Sequence, residues 1–289
     1  MRLSIPTIND QPADFDRLFK LWDQVNDDFL RVRFDFSNCS FLRQNAVAFL
    51  GGLARLIEHR SGIVLFDWNT LQENIRTNLT QNGFLAAFGH SDGSWSGNSI
   101  QYREDLVQDK EILADYLKTK WLGCGWIQVS PPLQDAIVGR VWEIYANAFE
   151  HGKSSIGVFS CGQHYPKMKE LKLTVVDFGV GIPSNVRLFM RNPNISADKT
   201  LKWAFQPGTT TNPNGVGRGL GLDLLKEFVK INKGRFEVFS HDGYALIDET
   251  QEAYSNRQTF FEGTLVNITL HCDESYYRLA SEAVDEPLF

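Results

Sequence analysis

LKLTVVDFGVGIP, residues 171–183, carries an apolar strand pattern into a turn that opens with Asp177 and continues through Gly179 and Gly181. A run of this length and composition reads as a buried strand. Glycines directly after it let a ligand approach the backbone, because no Cβ stands in the way. A carboxylate delivered to a strand end is a good acceptor for an amino group. On its own, DxGxG describes an ordinary polar turn equally well, since Asp and Gly are common turn residues.

Upstream, SPP at 130–132 supplies a helix start, and residues 133–151 show helical periodicity. Ile137, Val138, Val141, Tyr145, Ala148 and Phe149 share one side, while Glu143, Asn147 and His151 recur at i, i+4 and i+8 on the other. That polar row is either a solvated face or one wall of a site. Downstream, GVGRGLGLDLLKEFVK at 215–230 places glycines before an apolar helical run. Exposed backbone N–H groups and a helix N-terminus are the physics of a phosphate cradle. A dinucleotide-binding unit fits poorly because no buried strand precedes these glycines, and no GxxxxGK[ST] sequence occurs.

What remains is an ordered set of four boxes, EIYANAFEHG, DFGVGIP, GRGLGLDLL and EGTLVNITL, spanning about residues 140–270. Together they resemble the GHKL superfamily of gyrase, histidine kinase and MutL ATPases, closest in style to the anti-sigma-factor kinases. The resemblance implies a Bergerat α/β sandwich with a mixed sheet over residues 131–275, with ATP and Mg²⁺ as cofactors. It implies that Asp177 accepts from the adenine amino group and that Asn147 coordinates the phosphate-bound Mg²⁺. Glu143 matches the general base. Gly179 and Gly181 shape the adenine side, Gly217, Gly219, Leu220 and Gly221 the phosphate loop, and Thr264 supports Asp177 through a water. His151 matches a position of the anti-sigma kinases, with a structural role equally open. Arg218 is a candidate cation for the phosphates, or an exposed ion-pair partner. Residues 184–214, rich in Asn, Pro, Thr and Gly, are expected to form a mobile lid. PGTTTNPNG at 207–215 is its most phosphate-friendly part, through Thr209 and Thr210, though it is also an ordinary polar loop.

Before these boxes the pattern is a smaller α/β unit. RVRFDF at 31–36 alternates as a half-buried strand, Asn45 to Glu58 is helical, GIVLFDW at 62–68 reads as a buried strand, and Asn69 to Phe88 is helical with a break at Gly83. FDFSNCSFLRQNAVAFLGGL, GIVLFDW and LTQNGFLAAFG resemble a STAS domain over residues 1–90. Where phosphorylatable members carry a serine at the start of the helix, this chain has Arg43, Gln44 and Asn45, so the resemblance implies a docking or regulatory module without a phosphoserine. HSDGSWSGNS at 90–99 is the compositional break. Residues 91–130 then read as linker and docking helix, with an amphipathic helix at 104–120 using Leu106, Ile112, Leu113, Tyr116 and Leu117. Residues 276–289 form a C-terminal tail.

The 289 residues suffice for two cores, and 43% hydrophobic with 22% charged residues is ordinary for a globular chain. A net charge of −6 argues against a general nucleic-acid binder. The N-terminus lacks a basic-then-apolar signal and no stretch reaches membrane-span length, which predicts a cytoplasmic protein without a membrane partner. Cys39, Cys124, Cys161 and Cys272 are too scattered for a zinc site or a disulfide framework. Two functions fit these residues. One is a nucleotide-gated switch with slow ATP hydrolysis, contacting a protein partner through the N-terminal unit. The other is a serine/threonine protein kinase of the anti-sigma type, in which Glu143 activates a partner's hydroxyl. A sensor histidine kinase needs a phosphoacceptor histidine on a dimerising hairpin, a setting that neither His59 nor His90 has. The resemblance is also compatible with a homodimer.

Overall fold

The computed structural model describes residues 1–90, 97–206, 208–209 and 221–283. In chain order the first unit holds β1 (Arg2–Ser4), α1 (Pro12–Gln24), β2 (Arg31–Asp35), α2 (Gln44–His59), β3 (Ile63–Asp67), α3 (Glu73–Gln81) and α4 (Phe84–Ala87). There follow β4 (Ser99–Asp105), α5 (Lys110–Tyr116), β5 (Gln128–Val129), α6 (Pro131–Asn147), β6 (Val158–Tyr165), β7 (Glu170–Asp177), α7 (Gly181–Phe189) and α8 (Ala197–Ala204). The chain closes with α9 (Gly221–Ile231), β8 (Arg235–Ser240), β9 (Gly243–Asp248), β10 (Glu252–Asn256), β11 (Thr264–His271) and β12 (Tyr276–Tyr277).

The fold is α/β, as the sequence predicts. A seven-stranded sheet runs β10-β9-β8-β11-β7-β6-β4, and β1-β2-β3 form a separate parallel sheet. Every neighbouring pair in the large sheet is antiparallel, in place of the mixed sheet the resemblance implies. Short connections explain this for β6–β7 and β8–β9, because strands joined by a tight turn must run back alongside each other.

Alternation along the strands gives this sheet two buried faces. Leu171, Leu173 and Val175 of β7, with Phe236 and Val238 of β8, join the core under α5, α6, α8 and α9. On the opposite face Phe159, Val176, Phe239 and Leu265 join the core that holds α1 and α2. Phe15 stacks on Phe239 with ring centroids 4.2 Å apart, and Phe19 stacks on Phe261 at 4.9 Å. Such pairs add roughly 0.5–1.5 kcal/mol each beyond their area burial. Helix α2 lies close against the sheet because Gly51 and Gly52 face it: added Cβ atoms would stand 2.0 Å from the Tyr102 hydroxyl and 2.2 Å from the Phe178 ring.

Polar groups also cross this second face. The Gln44 amide donates to Asn267 Oδ1 (3.2 Å) and accepts from the Tyr165 hydroxyl (2.9 Å), while Asn267 donates to Glu237 (3.0 Å). Lys172, nearly fully buried, pairs with Asp10 and with Glu170.

Several local readings are corrected. Residues 99–105 form β4 at the edge of the large sheet, so the predicted helix at 104–120 begins only at Lys110. Leu106 and Ile112 are exposed, leaving Leu113, Tyr116 and Leu117 to pack. Strand β3 is an edge strand with Ile63 and Leu65 exposed, not a buried one. The expected lid at 184–214 contains α7 and α8 as far as Ala204, since Ala197, Thr200 and Leu201 give α8 a buried side. No helix among the described residues is long and apolar enough to cross a membrane.

Candidate functional site

Asp177 is the last residue of β7, register-paired with Val158 of β6 and Thr264 of β11. Held between two strands, its carboxyl is only 4% exposed. Oδ1 accepts from the Gly179 N–H at 2.9 Å, and the Thr264 N–H also faces the carboxyl. Burial pushes the carboxyl up to about 7, against the two backbone donors, which lower it. A buried carboxylate can accept more hydrogen bonds than these two and is suited to receive a further donor.

The turn after it is stitched to Gly152, five residues beyond the end of α6. The Val180 N–H donates to the Gly152 carbonyl at 2.7 Å, and a Cβ on Gly179 would stand 1.8 Å from that oxygen. Gly181 has φ +73° and packs against the Glu262 carbonyl, Ser240 and His241, where a Cβ would lie 2.3–2.8 Å away. Both glycines of the motif are therefore required by close approach. Ser240 Oγ donates to the Gly263 carbonyl, accepts from the Ile182 N–H and lies 3.1 Å from Thr264 Oγ1. Thr264 thus joins the wall beside Asp177 and makes no direct side-chain bond to it.

Helix α6 starts as the sequence predicts, with Pro131 and Pro132 in its first turn and the Ser130 hydroxyl accepting from the Leu133 N–H. Its buried side holds Ile137, Val138, Val141 and Tyr145. Glu143 is half-buried and bonded to Arg140 Nη1 at 2.8 Å; Asn147 is exposed, and no described residue bonds its side chain. The α-helix ends at Asn147, and residues 148–152 form a wider π turn, so His151 leaves the i, i+4, i+8 row. Such turns recur at functional sites. The His151 carbonyl accepts from Asn185, which joins α7 to the same corner.

The structure brings Asp177, Gly179, Gly181 and Thr264 together and ties them to the turn that continues α6 from Glu143 and Asn147. Thr209 Oγ1 donates to the Gln206 and Trp203 carbonyls at the end of α8. Thr210, Gly217, Arg218, Gly219 and Leu220 lie outside the described residues. Gly221 is the first residue of α9, which packs along α6. Among the described residues no group of three or more His, Cys, Asp or Glu could hold a metal. Sequence reasoning passed over Gly152, Arg140, Ser240 and His241. Only Gly152 left a signal, as the glycine that closes EIYANAFEHG.

No family model matches the chain. Among curated proteins it is similar to the sensor histidine kinase TmoS of Ectopseudomonas mendocina, at 26% identity over 244 residues. That alignment covers 79% of this chain and 23% of TmoS, so the chain spans less than a quarter of that protein. The similarity to a histidine kinase is distant, and it agrees with the GHKL resemblance of the four boxes. It says nothing in favour of the STAS-like reading of residues 1–90.

Proposed function

We propose that this chain binds ATP with Mg²⁺ and acts as a nucleotide-gated regulatory switch for a protein partner, with slow hydrolysis resetting it. The observation that carries this is Asp177: a buried carboxyl at the end of a central strand, beside a turn that only glycines can form. In this reading Asp177 receives the adenine amino group, Gly179 and Gly181 shape the base pocket, and Thr264 supports it. Asn147 holds the metal, which neutralises phosphate charge when bound. Glu143 activates the attacking water, with Arg140 orienting its carboxylate. The phosphates go to the glycine-rich segment ending at Gly221.

The partner meets the N-terminal unit away from the start of α2, since Arg43, Gln44 and Asn45 are buried. A second reading is phosphotransfer to a protein hydroxyl: the distant similarity to a sensor histidine kinase is compatible with kinase-like chemistry and does not favour a hydroxyl acceptor.

The test is single-turnover incubation with γ-labelled ATP, with and without cell lysate, for wild type and Glu143→Ala. Label in inorganic phosphate supports the switch, and label in a protein supports the kinase. Glu143→Ala is expected to retain nucleotide while turnover falls roughly 10²–10⁴-fold. Normal turnover in that variant removes Glu143 from the chemistry. Bound nucleotide without turnover in wild type leaves a binding-only switch.

A further inference from the structure

We propose that His241 is a positioning residue for the nucleotide site: as a neutral imidazole it clamps the Val180 peptide and so fixes the turn that shapes the base pocket. The inference rests on the nucleotide reading above and names a residue outside the four boxes.

His241 sits in the tight turn between β8 and β9 with φ +54°, a left-handed conformation in which histidine is among the better-tolerated residues. It is 5% exposed. Its backbone donates to the Phe261 carbonyl at 2.8 Å and accepts from the Phe261 N–H at 3.3 Å, and its ring lies against Phe260 with centroids 4.8 Å apart. The ring is thereby held with Nε2 2.9 Å from the Val180 carbonyl oxygen. A carbonyl can only accept, so Nε2 carries the proton. Nδ1 is then the acceptor, and Arg187 Nη1 of α7 lies 3.4 Å from it. Arg187 is itself anchored by Nε donating to the Ile195 carbonyl at 2.8 Å.

Val180 stands between Gly179 and Gly181, and its N–H donates to the Gly152 carbonyl. One residue is therefore pinned on both sides, by the π turn after α6 through its N–H and by His241 through its C=O. A Cβ on Gly181 would lie 2.8 Å from His241 Cδ2, so the ring also fills the floor beneath the turn. The charged groups facing His241 are Arg187 from α7, Asp242 from its own turn and Glu262 from the approach to β11. Protonation would place a second N–H on Nδ1, opposite the Arg187 guanidinium, losing an acceptor and setting two cations face to face. Burial and Arg187 both disfavour that state, against the Val180 hydrogen bond, Asp242 and Glu262.

The experiment is equilibrium titration of Mg·ATP across pH about 5 to 8, where an imidazole titrates, for wild type, His241→Gln and His241→Leu. Glutamine can donate to Val180 and accept from Arg187 but cannot titrate, whereas leucine can do neither. Asp177 is present in all three, so its own titration is common to them. His241→Gln is expected to bind within about threefold of wild type at the upper end and to escape the extra loss of affinity that wild type shows as the pH falls and the imidazole protonates. His241→Leu is expected to bind about tenfold more weakly throughout, the size of one lost buried hydrogen bond. A glutamine profile that superimposes on wild type down to the lowest pH, or wild-type affinity in the leucine variant, overturns the proposal while leaving the nucleotide site standing. Absence of Mg·ATP binding by wild type at every pH overturns the nucleotide reading itself, and this role with it.

Discussion

Asp177 costs the free protein stability, and the sign is fixed by its titration. Its folded value, about 7, lies above the ordinary 3.8 of an aspartate, so the folded state holds a proton that the unfolded chain releases. Stability therefore falls as pH rises through that interval, and the whole penalty is present above pH about 7. Asp177→Asn keeps an oxygen for the Gly179 N–H and removes the charge. The nucleotide-free variant is expected to be more stable than wild type at pH about 8, by up to about 4 kcal/mol, with the gain gone near pH 4. Denaturant titrations at the two pH values measure it, and a variant less stable than wild type at the higher pH contradicts the burial argument. Asn147 is the reverse case, exposed and unbonded by any described residue, so its replacement should cost little structure. Asn147→Ala is expected to weaken Mg·ATP binding about tenfold or more and metal-free ATP at most about twofold, since an amide oxygen is a ligand for this hard cation. Equal losses with and without Mg²⁺, read by calorimetry, would remove Asn147 from the metal.

The elements that carry Asp177 and Asn147 were legible because their patterns are local. β7 is an apolar run ending in Asp-Phe-Gly, and α6 has two prolines and a clean apolar side. β4 was not legible: SIQYRED at 99–105 is an edge strand with polar residues on both sides, and its pairing with β6 reaches across some sixty residues. For β3 the apolar run was visible but its burial was not, because composition does not say what covers a strand. The clamp on Val180 was hidden for the same reason, since its histidine comes from a turn 61 residues away. The sheet face under α2 carries another contact of this kind. Lys172, itself nearly fully buried, pairs with Asp10 of the N-terminal segment and with the partly exposed Glu170 of β7. Lys172→Met removes the cation Asp10 and Glu170 share and leaves Asp10 with Arg43 at 3.6 Å, and is expected to cost about 3–5 kcal/mol in chemical unfolding. A loss below about 1 kcal/mol would mean that water already reaches the pair.

The two cores share one sheet, which makes residues 1–90 a cover for the face opposite α6 and α9 and joins them to the C-terminal fold. Heat is therefore expected to unfold the described chain in one transition, with calorimetric and van't Hoff enthalpies in agreement; two resolved transitions would show that the units are separable. Under the proposed switch, the same arrangement would give a change in the Asp177 turn a packed route to the N-terminal unit, because Phe178, the residue after Asp177, lies against Gly52 and Phe49 of α2. All of this depends on the proposal that Mg·ATP binds with its base at Asp177. The most direct test is calorimetric titration of Mg·ATP into wild type and Asp177→Asn at pH about 8, where the wild-type carboxyl is ionised. Saturable binding by wild type, weakened at least tenfold in a variant that remains folded, is the result expected from the loss of one buried acceptor. Equal affinities in the two proteins, or no binding by wild type, would contradict it.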